Sequence, residues 1–228
     1  MSFYIGLSFL SNKGRGRRVR QELLSAEGRN ILSVLEGRHL KDDEVSIEKN
    51  GRPFFSDRAG DFSISHSGAM TAVSLVKGTT LRTGCDIQIV RPNVSVKEIA
   101  EKFFTAGERD YICGDLNRFF EIWALKECFL KLRGLSVFDM ESVPSFIDSS
   151  GCGFAFNADV TLPLSFFLYE LVNANERYFL AAALEGSAFK GGELRPEIRW
   201  VSQSFLPCMS IAEINAALSP ESTVSPKI

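Results

Sequence analysis

Histidine is nearly missing from this chain: only His39 and His66 occur in 228 residues, which argues against a histidine-built metal cluster. Cysteine is sparse and odd in number (Cys85, Cys113, Cys128, Cys152 and Cys208), with no pair at CxxC spacing. No disulfide framework or thiolate zinc site is implied, and a reduced, cytoplasmic setting is the expectation. No apolar run approaches the ~18 residues a membrane-spanning helix needs, and the N-terminus lacks the charged–apolar–small order of an export signal. An excess of positive charge is lacking too. A formal net charge of −2 and a pI of about 5.8 argue against a nucleic acid as main partner, because phosphate neutralisation carries that interaction.

What is present is the composition of a soluble globular protein, 45% hydrophobic and 24% charged, long enough for one large domain or two small lobes with a core. The nineteen Phe imply aromatic packing between elements rather than chemistry. The basic residues are uneven: "KGRGRRVR" (13–20) holds five positive charges and no acid, as a solvated loop or a contact for phosphate or an acidic partner.

"FYIGLSF" (3–9) alternates as an opening strand, and "RQELLSAEGRNILSVLEG" (20–37) spaces its leucines as a helix ended by Gly37. "DEVSIEKNGRPFF" (43–55) reads as strand, Asn-Gly turn and extended piece, since Pro53 keeps Arg52 out of helix. Strands follow in "FSISHS", at 72–76 and in "GCDIQIV" (84–90). Helices are expected over 95–112, with a second start at Thr105, where Thr and Glu108 form a capping-box pattern, and over 115–134, stopped by Gly134. "GFAFNADV", "LSFFLYELV", "YFLAAALEG" and "IRWVSQSF" read as strands in hairpin-like succession. Without a regular βαβ rhythm, the class is α+β. The division expected is 1–80, 81–213 and a frayed tail, 214–228.

Several fragments could carry chemistry. In a strand, Asp86 and Gln88 of "GCDIQ" share one face while Cys85 and Ile87 take the other; a carboxylate beside an amide oxygen can hold a hard cation, and a strand-end Asp can equally be satisfied by backbone. In "WALKECFLKLRG" (123–134), Glu127 and Lys131 lie one turn apart on one helix face, which is also the pattern of a plain stabilising ion pair. Trp123 reads as core and Lys126 lies on the flank. In "SISHSG" (63–68), Ser65 and His66 point to opposite faces, so they cannot be nucleophile and base for each other. With no GxSxG elbow, a hydrolase triad is discounted. His66 and Ser65 suit a phosphate, as does the planar fork of Arg52 in "NGRP".

Taken in order, "GRPFF", "SISHSG", "GCDIQ", "FFTAGE" and "WALKECFLKLRG" resemble the long, monomeric, surfactin-synthetase-activating class of 4′-phosphopantetheinyl transferases, from about Val45 to Gly134 and more weakly through residue 185. The family's Trp-x-x-Lys-Glu-x-x-x-Lys helix is complete here as Trp123, Lys126, Glu127 and Lys131. The resemblance implies two pseudo-symmetric α+β lobes, each a small antiparallel sheet packed with helices, with the site in the cleft between them. It implies transfer of phosphopantetheine from coenzyme A to a serine of an acyl or peptidyl carrier protein, releasing 3′,5′-ADP. By position, Asp86, Gln88 and Glu127 would hold Mg²⁺ or Mn²⁺; Glu127 and Lys131 would be catalytic; Arg52, Ser65, His66 and Lys131 would bind coenzyme A. Nucleic acid and membrane are not expected as partners.

Gln88 stands where the family usually has a second acid, leaving one fewer negative charge for the metal. The family's N-terminal basic contacts align poorly, with Arg18 and Arg20 as candidates, and Glu108 matches an acid whose role is open. Two rival readings remain: a homologue that binds coenzyme A or carrier without turnover, and a nucleic-acid module using residues 13–20.

Overall fold

The computed structural model describes residues 1–10, 16–151, 153–156, 163–173, 175–186, 195–201 and, as backbone, 208–216. The opening strand, β1 (Ser2–Phe9), buries Phe3, Ile5 and Leu7, and the glycine among them has a packing reason. A Cβ on Gly6 would stand 2.3 Å from Ile31 Cγ2, so its absence lets helix α1 (Arg17–Glu36) lie directly on the strand. That helix ends at Gly37 in the left-handed conformation, φ 75°. It starts earlier than its leucine pattern predicts, so residues 17–20 of the basic segment are helical rather than loop. Residues 13–15 lie outside the described residues.

Next come β2 (Val45–Ile47) and β3 (Pro53–Phe55), a small hairpin, then β4 (Gly60–Ser67), β5 (Met70–Lys77) and β6 (Thr83–Ile89). Helices α2 (Val96–Phe103), α3 (Ala106–Ile112) and α4 (Leu116–Arg133) precede the strands β7 (Leu164–Asn173), β8 (Glu176–Glu185), β9 (Glu197–Trp200) and β10 (Cys208–Ala216). One four-stranded sheet runs β4-β5-β1-β9 and another β10-β7-β8-β6. The fold is therefore α+β with small, mostly antiparallel sheets and helices.

Three buried clusters define the layers. Ile31, Leu32 and Leu35 of α1 pack on Phe62, Val73 and Leu75 of the first sheet. The two sheets face each other through Phe3, Ile5 and Met70 on one side and Ile87, Phe167 and Leu180 on the other. On the far face of the second sheet, α4 buries Phe119, Ile122 and Leu125 beside Phe146 and Phe166. The layers run α1, sheet, sheet, α4, and the halves share a core between their sheets.

Two sequence expectations differ from the structure. "IRWVSQSF" is not a hairpin partner of β8: β9 pairs in parallel with β1, adding a segment from beyond residue 80 to the first sheet. The open edge of β1 offers backbone groups that need partners, and β9 supplies them. Among the described residues of "GFAFNADV" an isolated bridge, Ile147 to Phe154, forms, and Phe156 packs with tilted rings among Phe129, Phe146 and Phe166 instead of entering a ladder. Residues 157–160 lie outside the described residues. Of the expected tail, 214–216 belong to β10 and 217–228 lie outside the described residues.

Candidate active site

β4 and β6 are edge strands of different sheets, and they meet through side chains instead of a backbone ladder. Free N–H groups of β6 are taken by side chains two or four residues apart on β4: Thr83 N donates to Asp61 Oδ2 at 2.8 Å, Ile87 N to Ser65 Oγ at 3.2 Å and Ile89 N to Ser67 Oγ at 3.0 Å. Polar residues on one face of β4 thus complete an edge that would otherwise be unsatisfied. Cys85 and Ile87 turn into the core between the sheets, and Asp86 and Gln88 turn the other way, as strand alternation requires.

Helix α4 covers that second face closely. A Cβ on Gly84 would meet the Cys128 carbonyl oxygen at 2.6 Å and the Leu132 nitrogen at 2.9 Å, so the glycine of "GCDIQ" is what lets the helix backbone approach the strand. Asp115 caps the helix, accepting from Asn117 N at 2.8 Å and Arg118 N at 3.1 Å, and Gly134 ends it at φ 68°. The Trp-x-x-Lys-Glu-x-x-x-Lys residues then divide between two surroundings. Trp123 stacks on Phe119 and packs against Phe103 and Phe104. Lys126 is fully buried, 3.1 Å from Glu108 Oε2, and donates to the Val143 carbonyl. Glu108 accepts in turn from Thr105 N and Phe146 N, so its carboxylate is a structural partner within α3 and α4. Burial pushes the Lys126 pKa down, and the neighbouring Glu108 pulls the other way.

Glu127 and Lys131 face the joint. Lys131 Nζ lies 2.6 Å from Asp86 Oδ1 and 2.7 Å from Ser65 Oγ; Ser65 Oγ and Asp86 Oδ1 are 2.7 Å apart. Gln88 Nε2 donates to Asp86 Oδ2 at 2.7 Å, so both oxygens of this buried carboxylate are engaged. Burial opposes the Lys131 charge, but the surrounding acidic groups, Asp86 foremost, together outweigh it and the ammonium pKa is raised. The Glu127 carboxylate accepts no hydrogen bond from the described residues. Its pKa is pushed up to about 7, by burial first and the Asp86 charge second, against the pull of Lys131. The Asp86 and Glu127 charges therefore oppose each other, and the Lys131 ammonium attracts both.

Ser65, Asp86, Gln88 and Lys131 are drawn into direct contact, with Glu127 coupled to them through charge. His66 is exposed on the other side of β4, lining a cavity of about 400 Å³ with Gln88, Arg91 and Phe120. Its pKa is lowered, by desolvation first and by Lys131 second. Arg52 lines a different cavity, of about 230 Å³, beside Pro53, Ser63 and Lys131. Its guanidinium, however, is already bound to Asp61 and to three backbone carbonyls, which leaves it poorly placed to grip a phosphate. Arg18 is exposed and paired with Glu22; the side chain of Arg20 lies outside the described residues. Sequence reasoning missed Asp61 and Ser67, although both share the alternation that singled out Ser65.

Oxygen donors from Asp86, Gln88 and Glu127 suit a hard divalent cation, and the Glu127–Asp86 repulsion, only partly offset by Lys131, is what such an ion would relieve. Among the described residues no group of three or more His, Cys, Asp or Glu could hold a metal. Nor is any described helix long and apolar enough to cross a membrane.

Residues 82–183, which include Asp86, Gln88, Glu127 and Lys131, match the family model of the 4′-phosphopantetheinyl transferase superfamily. The chain is 32% identical over 115 residues to the 4′-phosphopantetheinyl transferase AcpT of Salmonella typhi, covering 47% of this chain and 58% of that protein. It is 28% identical over 131 residues to the 4′-phosphopantetheinyl transferase HetI of a Nostoc species, covering 51% and 54%. To the 4′-phosphopantetheinyl transferase psf-1 of Bacillus pumilus it is 29% identical over 144 residues, covering 57% and 60%. The similarity spans little more than half the length of these relatives.

Proposed function

We propose that this protein is a 4′-phosphopantetheinyl transferase of the long, monomeric class, acting in the cytoplasm on an apo acyl or peptidyl carrier protein with coenzyme A as donor. One observation carries the reading: a strand carboxylate, a strand hydroxyl and a helix ammonium, Asp86, Ser65 and Lys131, lie within 2.7 Å of one another with Glu127 electrostatically coupled to them. The matched segment supports it.

The reaction forms a bond from the carrier serine oxygen to the pantetheine-bearing phosphorus and breaks that phosphorus's bond to 3′,5′-ADP. A diphosphate repels an incoming oxygen, so charge neutralisation and alignment dominate the barrier. Lys131 supplies a fixed cation at the leaving phosphate, oriented by Asp86 and Ser65. The serine hydroxyl is a weak nucleophile until its proton is taken, and Glu127, with its pKa near 7, is matched to that task at neutral pH. His66, from the cavity it lines, and Ser65, through its contact with Lys131, are assigned to the phosphates of coenzyme A, and Arg52 borders a second cavity assigned to its adenosine end. Asp86, Gln88 and Glu127 would hold a Mg²⁺ ion, which would supply Lewis-acid neutralisation of the diphosphate.

Incubation with coenzyme A, Mg²⁺ and several apo carrier proteins tests the proposal by a mass gain on the carrier. Glu127→Gln and Lys131→Ala should abolish that gain while circular dichroism stays native. Binding of coenzyme A without any mass gain on any carrier would favour the binding-only homologue, for which the replacement of a family acid by Gln88 is the one supporting feature.

A further inference from the structure

One side chain joins the three elements that carry the site. Arg52 Nε donates to the Lys131 carbonyl of α4 at 3.1 Å, and its Nη2 to Thr83 O of β6 at 3.1 Å and Phe62 O of β4 at 3.4 Å. The same guanidinium forms a fork with Asp61, Nη1 to Oδ1 at 2.9 Å, and Asp61 also accepts the Thr83 N–H. Both residues are almost wholly buried, at 8% exposure. Next to them, Asn50 donates to the Gly134 carbonyl at 2.7 Å and accepts from Arg52 N. The β2–β3 turn therefore satisfies two carbonyls at the C-terminal end of α4, where a cation is also favoured by the helix dipole.

The residues tied by Arg52 stand close along the chain to the reacting groups. Phe62 is three residues before Ser65, Thr83 three before Asp86, and the α4 carbonyl is that of Lys131 itself. We infer that Arg52 and Asp61 are positioning residues: a buried clamp that sets the register of β4, β6 and α4 so that Lys131 Nζ meets Asp86 and Ser65. The inference rests on the proposed transferase reading for its kinetic consequences. It replaces the expectation that Arg52 serves chiefly as a ligand for coenzyme A. A guanidinium fits this place and an ammonium does not, because acceptors on three elements and a carboxylate require a planar fork of donors.

The test uses the full chain with Asp61→Asn, Arg52→Lys and the charge-free pair Arg52→Met with Asp61→Leu. The last removes both charges together and so avoids the unpaired buried ion that a single truncation leaves. Asp61 does not line the cavity that Arg52 borders, which separates clamp from ligand. The first readout is the rate at which an acylating reagent labels Lys131, relative to exposed Lys97, in protein shown to be folded. Labelling of Lys131 should rise by about tenfold or more in the clamp variants once its contacts loosen. Transfer kcat should fall on the order of 10²-fold, as for a misplacement near 1 Å, with KM for coenzyme A little changed and Arg52→Lys only partly active. Lys131→Ala should then cost far less in the Met/Leu background than in wild type, which a merely structural pair would not produce.

Unchanged Lys131 labelling in folded variants overturns the clamp. So does a raised KM in the Arg52 variants with Asp61→Asn silent, which would make Arg52 a coenzyme A ligand, and so does full activity of Arg52→Lys. If wild type transfers nothing to any carrier, the functional reading falls, and the Lys131 labelling ratio still decides the clamp.

Discussion

Lys126→Met is the substitution that best separates support from chemistry. Lys126 and Glu108 are both fully buried, 3.1 Å apart, and Glu108 also holds the Thr105 and Phe146 N–H groups. Removing the ammonium leaves a carboxylate sealed among Phe104, Val143 and Phe146 without its counter-ion, and frees the Val143 carbonyl. Breaking one side of such a pair costs about 3–5 kcal/mol. Against a total stability of about 5–15 kcal/mol, that is a large fraction. With a urea slope of about 1–3 kcal/mol/M, the unfolding midpoint should drop by roughly 2 M. Adding Glu108→Gln should recover part of the loss, about 1–3 kcal/mol, because an uncharged amide keeps one backbone partner. Lys126 points into the aromatic layer and not toward Asp86, so transfer per folded molecule should stay within about threefold of wild type, less than ~1 kcal/mol in barrier. A urea midpoint unchanged from wild type, or loss of transfer in fully folded protein, would refute the assignment of Lys126 to support.

Glu127 sets a pH dependence. Its folded pKa of about 7 lies above the unfolded value of 4.5, so the folded state binds more protons between these values and metal-free stability should fall as pH rises through that window. Thermal melts from acid to neutral pH in EDTA check this, and Glu127→Gln should flatten the trend; an equal slope in the variant would contradict it. Gln88→Glu restores a charge beside Asp86 and should lower the Mg²⁺ concentration for half-maximal transfer by roughly tenfold; identical metal titrations would remove Gln88 from the site. Gly84→Ala drives a methyl into the Cys128 and Leu132 backbone, and overpacking of this kind costs about 1–3 kcal/mol. It should also depress kcat by moving α4 off β6, and full activity in the variant would show that the close approach is not required.

Much of the site was readable in one dimension because its parts obey short-range periodicities. Strand alternation placed Asp86 with Gln88 and separated Ser65 from His66, and helix spacing put Glu127 and Lys131 on one face. Caps were equally local: Thr105 with Glu108, and Gly134 at the end of α4, form as their patterns predict. The basic segment misled because charge density by itself does not distinguish a loop from the exposed first turn of a helix. The strand β9 misled because pairing with β1 is a contact across nearly the whole chain, and no local pattern encodes its partner.

Arg52 shows where local reading stops. "NGRP" announces a turn and a guanidinium, but not the Asp61 carboxylate or the Lys131 carbonyl that claim it. Lys126 and Glu127 are neighbours in sequence, yet one is sealed against Glu108 and the other is coupled to Asp86, since consecutive helical residues point about 100° apart. The order of residue types determined which chemical groups this protein owns and the local element each sits on. Which of them meet was decided by the packing of two sheets face to face, with their edge strands β4 and β6 joined beneath α4, because burial and charge pairing depend on surfaces that exist only once distant segments have packed.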